Sequence, residues 1–305
     1  MEVRYADAAG LADAVDGADA LFLWDYFSTA VCDVRDRAGR LRWIHVAAAG
    51  VDTLLFDGLA ASSVTVTNAR GVFDRPVAEF VLMSIQAHAK DARRSQELQR
   101  SREWQHRETA AVAGSSALIV GTGAIGLETA RLLRAVGMEV RGAGRRARAN
   151  DPDFGTVVAS ADLAEHVGWA DYLVMIAALT DQTRGLIDAE VLRAMKPTSY
   201  LINVGRGPCV VEDDLLAALG AGQLSGAALD VFDSEPLPPG HPSWSAPGVT
   251  ISPHLAGDAV GWLDALAHQF VDNAERFLDV RPLVNVVDKQ LGFVAAASDP
   301  GQVVR

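Results

Sequence analysis

The string Leu118–Ile119–Val120–Gly121–Thr122–Gly123–Ala124–Ile125–Gly126 constrains this chain more than any other feature. Its apolar start reads as a buried strand, and glycines at G-x-G-x-x-G spacing lead into a stretch of helical period. Each glycine has its own task. Gly121 makes a tight turn, Gly123 lets a phosphate reach the backbone, and Gly126 permits close packing of helix on strand. A helix that starts there turns unpaired N–H groups and the positive end of its dipole toward an anion. The string predicts a dinucleotide site on Gly121, Gly123, Ala124, Ile125 and Gly126.

Elsewhere, short apolar runs alternate with helical stretches, which predicts an α/β protein with parallel sheets. Strands are expected at Val3–Tyr5, Ala20–Leu23, Ile44–Ala47 and Val64–Thr67. A second series runs through Leu118–Val120, Glu139–Gly142, Tyr172–Ile176, Tyr200–Asn203, Gly226–Leu229 and Thr250–Ser252. One long helix is expected from about Pro76 to Trp104 with Asp74 as its cap. Others are expected at Ile125–Val136, at Asp213–Leu219 and from about Asp258 to Leu278.

Half of the 305 residues are hydrophobic, enough for a sizeable core, and the net charge of −12 excludes general attraction to nucleic acid or an anionic membrane. Any anionic ligand must be held by a few placed cations. Two cysteines, Cys32 and Cys209, make neither a disulfide framework nor a metal-ligand pattern, so no metal is expected. The first residues lack a signal-peptide pattern, and no apolar run reaches the ~18 residues of a membrane span. These features predict a soluble, cytoplasmic protein.

The strand after the glycine turn discriminates between dinucleotides. An NAD site usually ends that strand in an acid that holds the ribose hydroxyls. Here Met138–Ala143 runs into Gly144–Arg145–Arg146–Ala147–Arg148 with no carboxylate at the tip. An acid would repel a 2′-phosphate, whereas Arg145 and Arg146 can hold one. NADP is therefore the preferred cofactor, with NAD possible in principle.

With these stretches in place, the chain resembles the D-isomer-specific 2-hydroxyacid dehydrogenases, in particular the glyoxylate/hydroxypyruvate reductases. The resemblance rests on the glycine turn, on Met195–Lys196–Pro197 with Leu201–Ile202–Asn203–Val204–Gly205–Arg206–Gly207, on Ala228–Leu229–Asp230 through Glu235–Pro236–Leu237, and on Ser252–Pro253–His254. It implies that Arg206, Glu235 and His254 are the catalytic set. Arg206 would bind a 2-oxo acid's carboxylate, His254 would protonate its carbonyl oxygen, and Glu235 would orient the imidazole. It further implies cofactor contacts at Thr183, Val204 and Asp230, the last with the nicotinamide carboxamide. Gly50 and Val51 would offer backbone N–H groups to the substrate carboxylate. Where many relatives carry proline before Leu179–Thr180, this chain has Ala178.

The resemblance also implies an architecture: a Rossmann-type nucleotide domain (93–258) inserted into a flavodoxin-like α/β substrate domain (1–92 plus 259–305). A homodimer through the nucleotide domain is expected, as is a small 2-oxo acid substrate. With the chain closing at Arg305, no further regulatory domain is expected. Trp24–Asp25–Tyr26–Phe27 would face the substrate's side group, and Arg70 would add a cation for a dianionic substrate. Two alternatives stay open: a phosphite-dehydrogenase-like enzyme with the same Arg, Glu and His, and a cofactor-sensing protein like the C-terminal-binding-protein corepressors. Formate dehydrogenases carry Gln where Glu235 stands. Histidines 45, 88, 106, 166, 241 and 268 have no evident partners and are read as structural or surface groups.

Overall fold

The computed structural model describes residues 2–25 and 27–295. These form two units, one from residues up to Phe73 together with those from Val260 on, the other from Asp74–Ala259.

The first unit alternates α1 (Leu11–Val15), β1 (Ala20–Leu23), α2 (Ala30–Asp33), β2 (Trp43–Val46), α3 (Asp57–Ala60) and β3 (Thr65–Thr67). The strands pair in parallel in the order β1-β2-β3. Period-two alternation splits β2 between two faces. Ile44 and Val46 join Leu11, Val15, Leu59 and Val66 in one cluster. Trp43 and His45 face the other way. The Trp43 indole N–H donates to Thr67 Oγ1 at 2.8 Å, and His45 Nδ1 lies 2.7 Å from the same oxygen. No part of His45 is exposed, and burial pushes its pKa down to about 4.

The second unit begins with α4 (Asp74–Ala89) and α5 (Ala92–Ser101), then β4 (Ser116–Val120), α6 (Ala124–Ala135), β5 (Glu139–Gly144), β6 (Arg148–Asp151) and β7 (Gly155–Ala159). It continues with α7 (Leu163–Val167), β8 (Tyr172–Met175), α8 (Ala189–Ala194), β9 (Tyr200–Asn203), α9 (Glu212–Gly220), β10 (Gly226–Leu229) and β11 (Val249–Ile251). The sheet order is β11-β10-β9-β8-β4-β5-β7-β6, parallel throughout except for the β6–β7 pair. In β4, Leu118 and Val120 enter one core cluster while Ala117 and Ile119 enter the cluster on the opposite face. A strand covered on both sides must be apolar throughout, which is why these strands read as continuous hydrophobic runs. Strand order reverses about β4 and β8, the switch point where α/β sheets take their ligands.

The chain then returns to the first unit. In α10 (Trp262–Leu278), Phe270 stacks on Phe22 at 4.2 Å and lies 5.8 Å from His45. Beyond it, the Val287 N–H donates to Val66 O, and the Lys289 ammonium donates to the carbonyls of Leu59, Ser62 and Val64.

The structure departs from the sequence expectations at five points. Val3–Tyr5 forms no strand: Val3 and Tyr5 are exposed, and Arg4 between them donates to Asp16 O. The long helix is two, because Asp91 takes a left-handed φ of 49° that ends the first and starts the second. Asp74 is the first helical residue rather than the cap. The hairpin β6–β7 was not anticipated, since Arg148–Asp151 is polar and only Val157 and Val158 of β7 are buried. The first unit also closes at Phe73 rather than 92, because Val81 and Ile85 of α4 pack with Ala130 and Leu133 of α6.

Candidate active site

Parallel pairing puts the C-terminal ends of β4, β9, β10 and β11 on one edge of the larger sheet. The predicted residues follow directly. Gly121 comes after β4, Arg206 is three residues past β9, Asp230 is the first residue after β10, and His254 is three past β11.

Asn203, the last residue of β9, builds the Arg206 turn. Its Oδ1 accepts the Gly205 N–H at 3.1 Å, and its amide donates to Arg206 O at 3.1 Å. The next residue must be glycine: a Cβ on Gly207 would fall 2.0 Å from the carbonyl carbon of Phe232. The backbones of the Arg206 loop and the Glu235 loop are therefore in contact. Glu235 Oε1 accepts the Phe232 N–H at 2.9 Å, and its Oε2 lies 2.7 Å from His254 Nδ1. Burial raises the Glu235 carboxyl, but the hydrogen bonds from His254 and Phe232, with Arg206 nearby, outweigh it and leave the pKa below its ordinary value. Glu235 is thus held as a carboxylate against the ring.

His254 has a left-handed φ of 52°, which costs a residue with a Cβ about 1–2 kcal/mol. Asp230 offsets that strain. Its Oδ1 accepts Ser252 Oγ at 2.6 Å and the Leu255 N–H at 3.0 Å, and its Oδ2 accepts the Ala256 N–H at 2.9 Å. Its backbone carbonyl takes the His254 N–H at 2.9 Å. Asp230 is buried and brackets the histidine on both sides. Sequence reading missed this work and that of Ser252, because these bonds join separate loops, and it missed the task of Asn203 within its own turn. Thr183 has an inward task as well: its hydroxyl donates to Ala178 O at 2.7 Å and accepts the Thr180 N–H at 2.8 Å. His241, expected to be unpartnered, lies 2.7 Å from Glu212.

The glycine turn fits a dinucleotide. A Cβ on Gly126 would meet Gly121 O at 1.9 Å, whereas one on Gly123 would meet nothing within 4 Å. The N–H groups of Gly123, Ala124 and Ile125 at the start of α6 donate to no group among the described residues. Val204 follows β9 and is half-buried. At the end of β5, Gly144 packs against Thr122 of the turn, and Arg145 and Arg146 are exposed. Arg148 starts β6 and pairs with Asp151 at 3.1 Å.

Gly50 and Val51 lie in the first unit, in the loop after β2, and neither of their N–H groups donates among the described residues. The Arg70 guanidinium donates to Val294 O at 3.2 Å, while its carbonyl accepts Gln269 and Asn285 amides, so the side chain braces the C-terminal return. Trp24 and Phe27 are about half exposed, and Tyr26 lies outside the described residues.

Residues 82–256 match the family model of the D-isomer specific 2-hydroxyacid dehydrogenase NAD binding domain, more than half of the chain. The chain belongs to the D-isomer specific 2-hydroxyacid dehydrogenases. It is 31% identical over 261 residues to a glyoxylate/hydroxypyruvate reductase A of Serratia proteamaculans, a match covering 84% of this chain and 82% of that one. A crystal structure of an NADPH-dependent glyoxylate/hydroxypyruvate reductase from Sinorhizobium meliloti, in complex with NADP and sulfate, superposes with a TM-score of 0.82 at 30% identity, covering 94% and 90%. A family member from Xanthobacter autotrophicus, solved with NADPH and MES, gives 0.79 at 30% identity, covering 92% and 87%. Family membership makes this chain an oxidoreductase with a nucleotide-binding Rossmann domain. No helix among the described residues is long and apolar enough to cross a membrane.

Proposed function

We propose that this chain reduces a small 2-oxo acid, glyoxylate or hydroxypyruvate by preference, to the D-2-hydroxy acid with NADPH in the cytoplasm. The observation that carries the reading is the 2.7 Å His254–Glu235 contact at the strand edge that also carries Arg206 and the glycine turn. Gly123, Ala124 and Ile125 would hold the pyrophosphate, Arg145 and Arg146 the 2′-phosphate, and Thr183, Val204 and Asp230 the nicotinamide end. A bound nicotinamide supplies the hydride.

The remaining work belongs to this chain's own groups. The Arg206 guanidinium takes the carboxylate and polarises the carbonyl. With Nδ1 committed to Glu235, His254 delivers its proton from Nε2 to the carbonyl oxygen. The Glu235 carboxylate, 2.7 Å from Nδ1, fixes the plane of the ring.

A 2-oxo acid panel run with NADPH and NADH, on wild type and His254→Gln, tests this reading. Turnover of glyoxylate or hydroxypyruvate should be fastest, NADPH should be preferred, and His254→Gln should lose about a hundredfold or more in kcat. Activity within a few-fold of wild type in that variant would refute the role of His254. A phosphite arm in the same panel separates the phosphite-oxidising alternative.

We also read the protein as a homodimer. Trp104 is fully exposed beside a groove of about 700 Å³ that Leu98, Arg102 and Arg107 help to line, and an isolated indole in water is a frequent anchor of protein interfaces.

A further inference from the structure

The Glu235 loop runs from Asp230 to Gly248, and its two ends are secured differently. The near end lies against Gly207, as described. The far end carries His241, whose Nδ1 accepts the Ser243 N–H at 3.3 Å and so caps the short turn Pro242–Ser245. A ring that accepts at Nδ1 carries its proton on Nε2 in the neutral form. That Nε2 is 2.7 Å from Glu212 Oε1, so both ring nitrogens are engaged, Nε2–H donating to Glu212 and Nδ1 accepting from Ser243. Glu212 is the first residue of α9, immediately beyond the segment that carries Arg206 and Gly207. The Phe232 ring meets the His241 ring edge-on, with centroids 6.3 Å apart. Between these points the loop folds on itself, with the Trp244 indole and the His241 N–H both donating to Pro238 O.

The contacts close a circuit: Arg206 to Gly207, along the chain to Glu212, across to His241, back through Phe232 to Gly207. A partly exposed pair of this kind adds little to global stability. What it can do is hold two loops in one relation, and here the two loops carry the substrate-binding arginine and the carboxylate behind the histidine.

We propose that Glu212 and His241 are a positioning pair for the reaction, fixing the distance between the Arg206 and Glu235 loops so that Glu235 meets the His254 ring in register. The proposal rests on the catalytic reading of Arg206, Glu235 and His254 given above. Neither residue of the pair is among the groups assigned above to substrate or cofactor. Their effect is on chemistry rather than on binding, because misplacing a catalytic group by about 1 Å costs on the order of a hundredfold in rate.

The test measures kcat and KM for glyoxylate with NADPH in wild type, Glu212→Ala, Glu212→Gln, His241→Phe and His254→Gln, with thermal midpoints alongside. Glu212→Ala and His241→Phe should each lower kcat about tenfold or more, with the KM for NADPH changed by less than about twofold. Glu212→Gln keeps an oxygen for the imidazole N–H and should recover most of the rate. Should His241→Phe fail to fold, the Glu212→Ala and Glu212→Gln pair decides alone. Wild-type kcat in Glu212→Ala, or an equal loss in Glu212→Gln, overturns the positioning role while an inactive His254→Gln leaves the catalytic reading standing. Activity in His254→Gln overturns both.

Discussion

Acid should act on this protein through His45, a residue to which no part in the reaction is assigned. The ring is wholly buried between the aromatic side chains of Phe22, Trp43 and Phe270, with Nδ1 at Thr67 and Nε2 without a partner among the described residues. Its pKa is held at about 4 against an ordinary 6.5, so the folded state keeps the ring neutral where the unfolded chain binds a proton. The sign follows from that difference. Stability is level above pH 6.5, falls as pH drops from 6.5 to 4, and levels again below, since both states are then protonated. At about 1.4 kcal/mol per pH unit, the loss across that window is about 3 kcal/mol, a large part of the 5–15 kcal/mol that typically holds a domain together.

The measurement is urea unfolding of wild type and His45→Phe from pH 8 to pH 4, read by hydrogen exchange at the β2 amides so that the first unit is followed by itself. The substitution removes the titrating group and keeps an aromatic ring in the aromatic face. Its cost at neutral pH is an offset; the diagnostic quantity is the difference between the two proteins as pH falls. That difference should move by about 3 kcal/mol in favour of the variant. Parallel pH curves, or a ring that titrates near 6.5 in the folded protein, would refute the reasoning.

Two further outcomes are expected. Replacing Arg145 and Arg146 together by alanine should raise the KM for NADPH by roughly ten- to a hundredfold and leave that for NADH within a few-fold, because only the 2′-phosphate loses its cations; steady-state kinetics with both cofactors check this, and equal losses would count against it. Asp230→Asn should speed amide exchange at Leu255 and Ala256 and lower kcat, because the new NH2 group faces donors where an acceptor stood, at a cost of about 1–3 kcal/mol. Unchanged exchange at those two amides would remove the bracketing role of the carboxylate.

The parts of the fold that sequence made legible are those where one physical demand acts alone. Strands covered on both faces, such as Ser116–Val120 and Tyr200–Asn203, need apolar residues at every position, so they stand out. Arg148–Asp151 serves an exposed edge hairpin, and nothing in its composition asks for a strand. The break at Asp91 depends on a distant arginine: the Arg107 guanidinium bonds both the side chain and the carbonyl of that residue, and no local pattern contains such a partner. The same division runs through the candidate site. Arg206, Glu235 and His254 stood out because each sits in a distinctive local string. Their supporting bonds did not, since Asp230, singled out only as a cofactor contact, reaches residues 22 to 26 positions away and Glu212 meets a histidine from another loop. Thr183 and Arg70, expected to meet ligands, also hold their own backbone surroundings, a task no local string announces.

The aromatic face of the first unit has a consequence in time. Phe22, Trp43 and His45 are made early, and Phe270, the ring that covers them, more than two hundred residues later. At about 5–20 residues per second, a nascent chain carries that face uncovered for roughly 10–45 s. The larger unit lies wholly within the interval and is free to fold during it. The smaller unit, begun first, is finished last, and until Lys289 reaches the carbonyls of Leu59, Ser62 and Val64 its sheet is the part of a newborn molecule most open to chaperones and to its own neighbours.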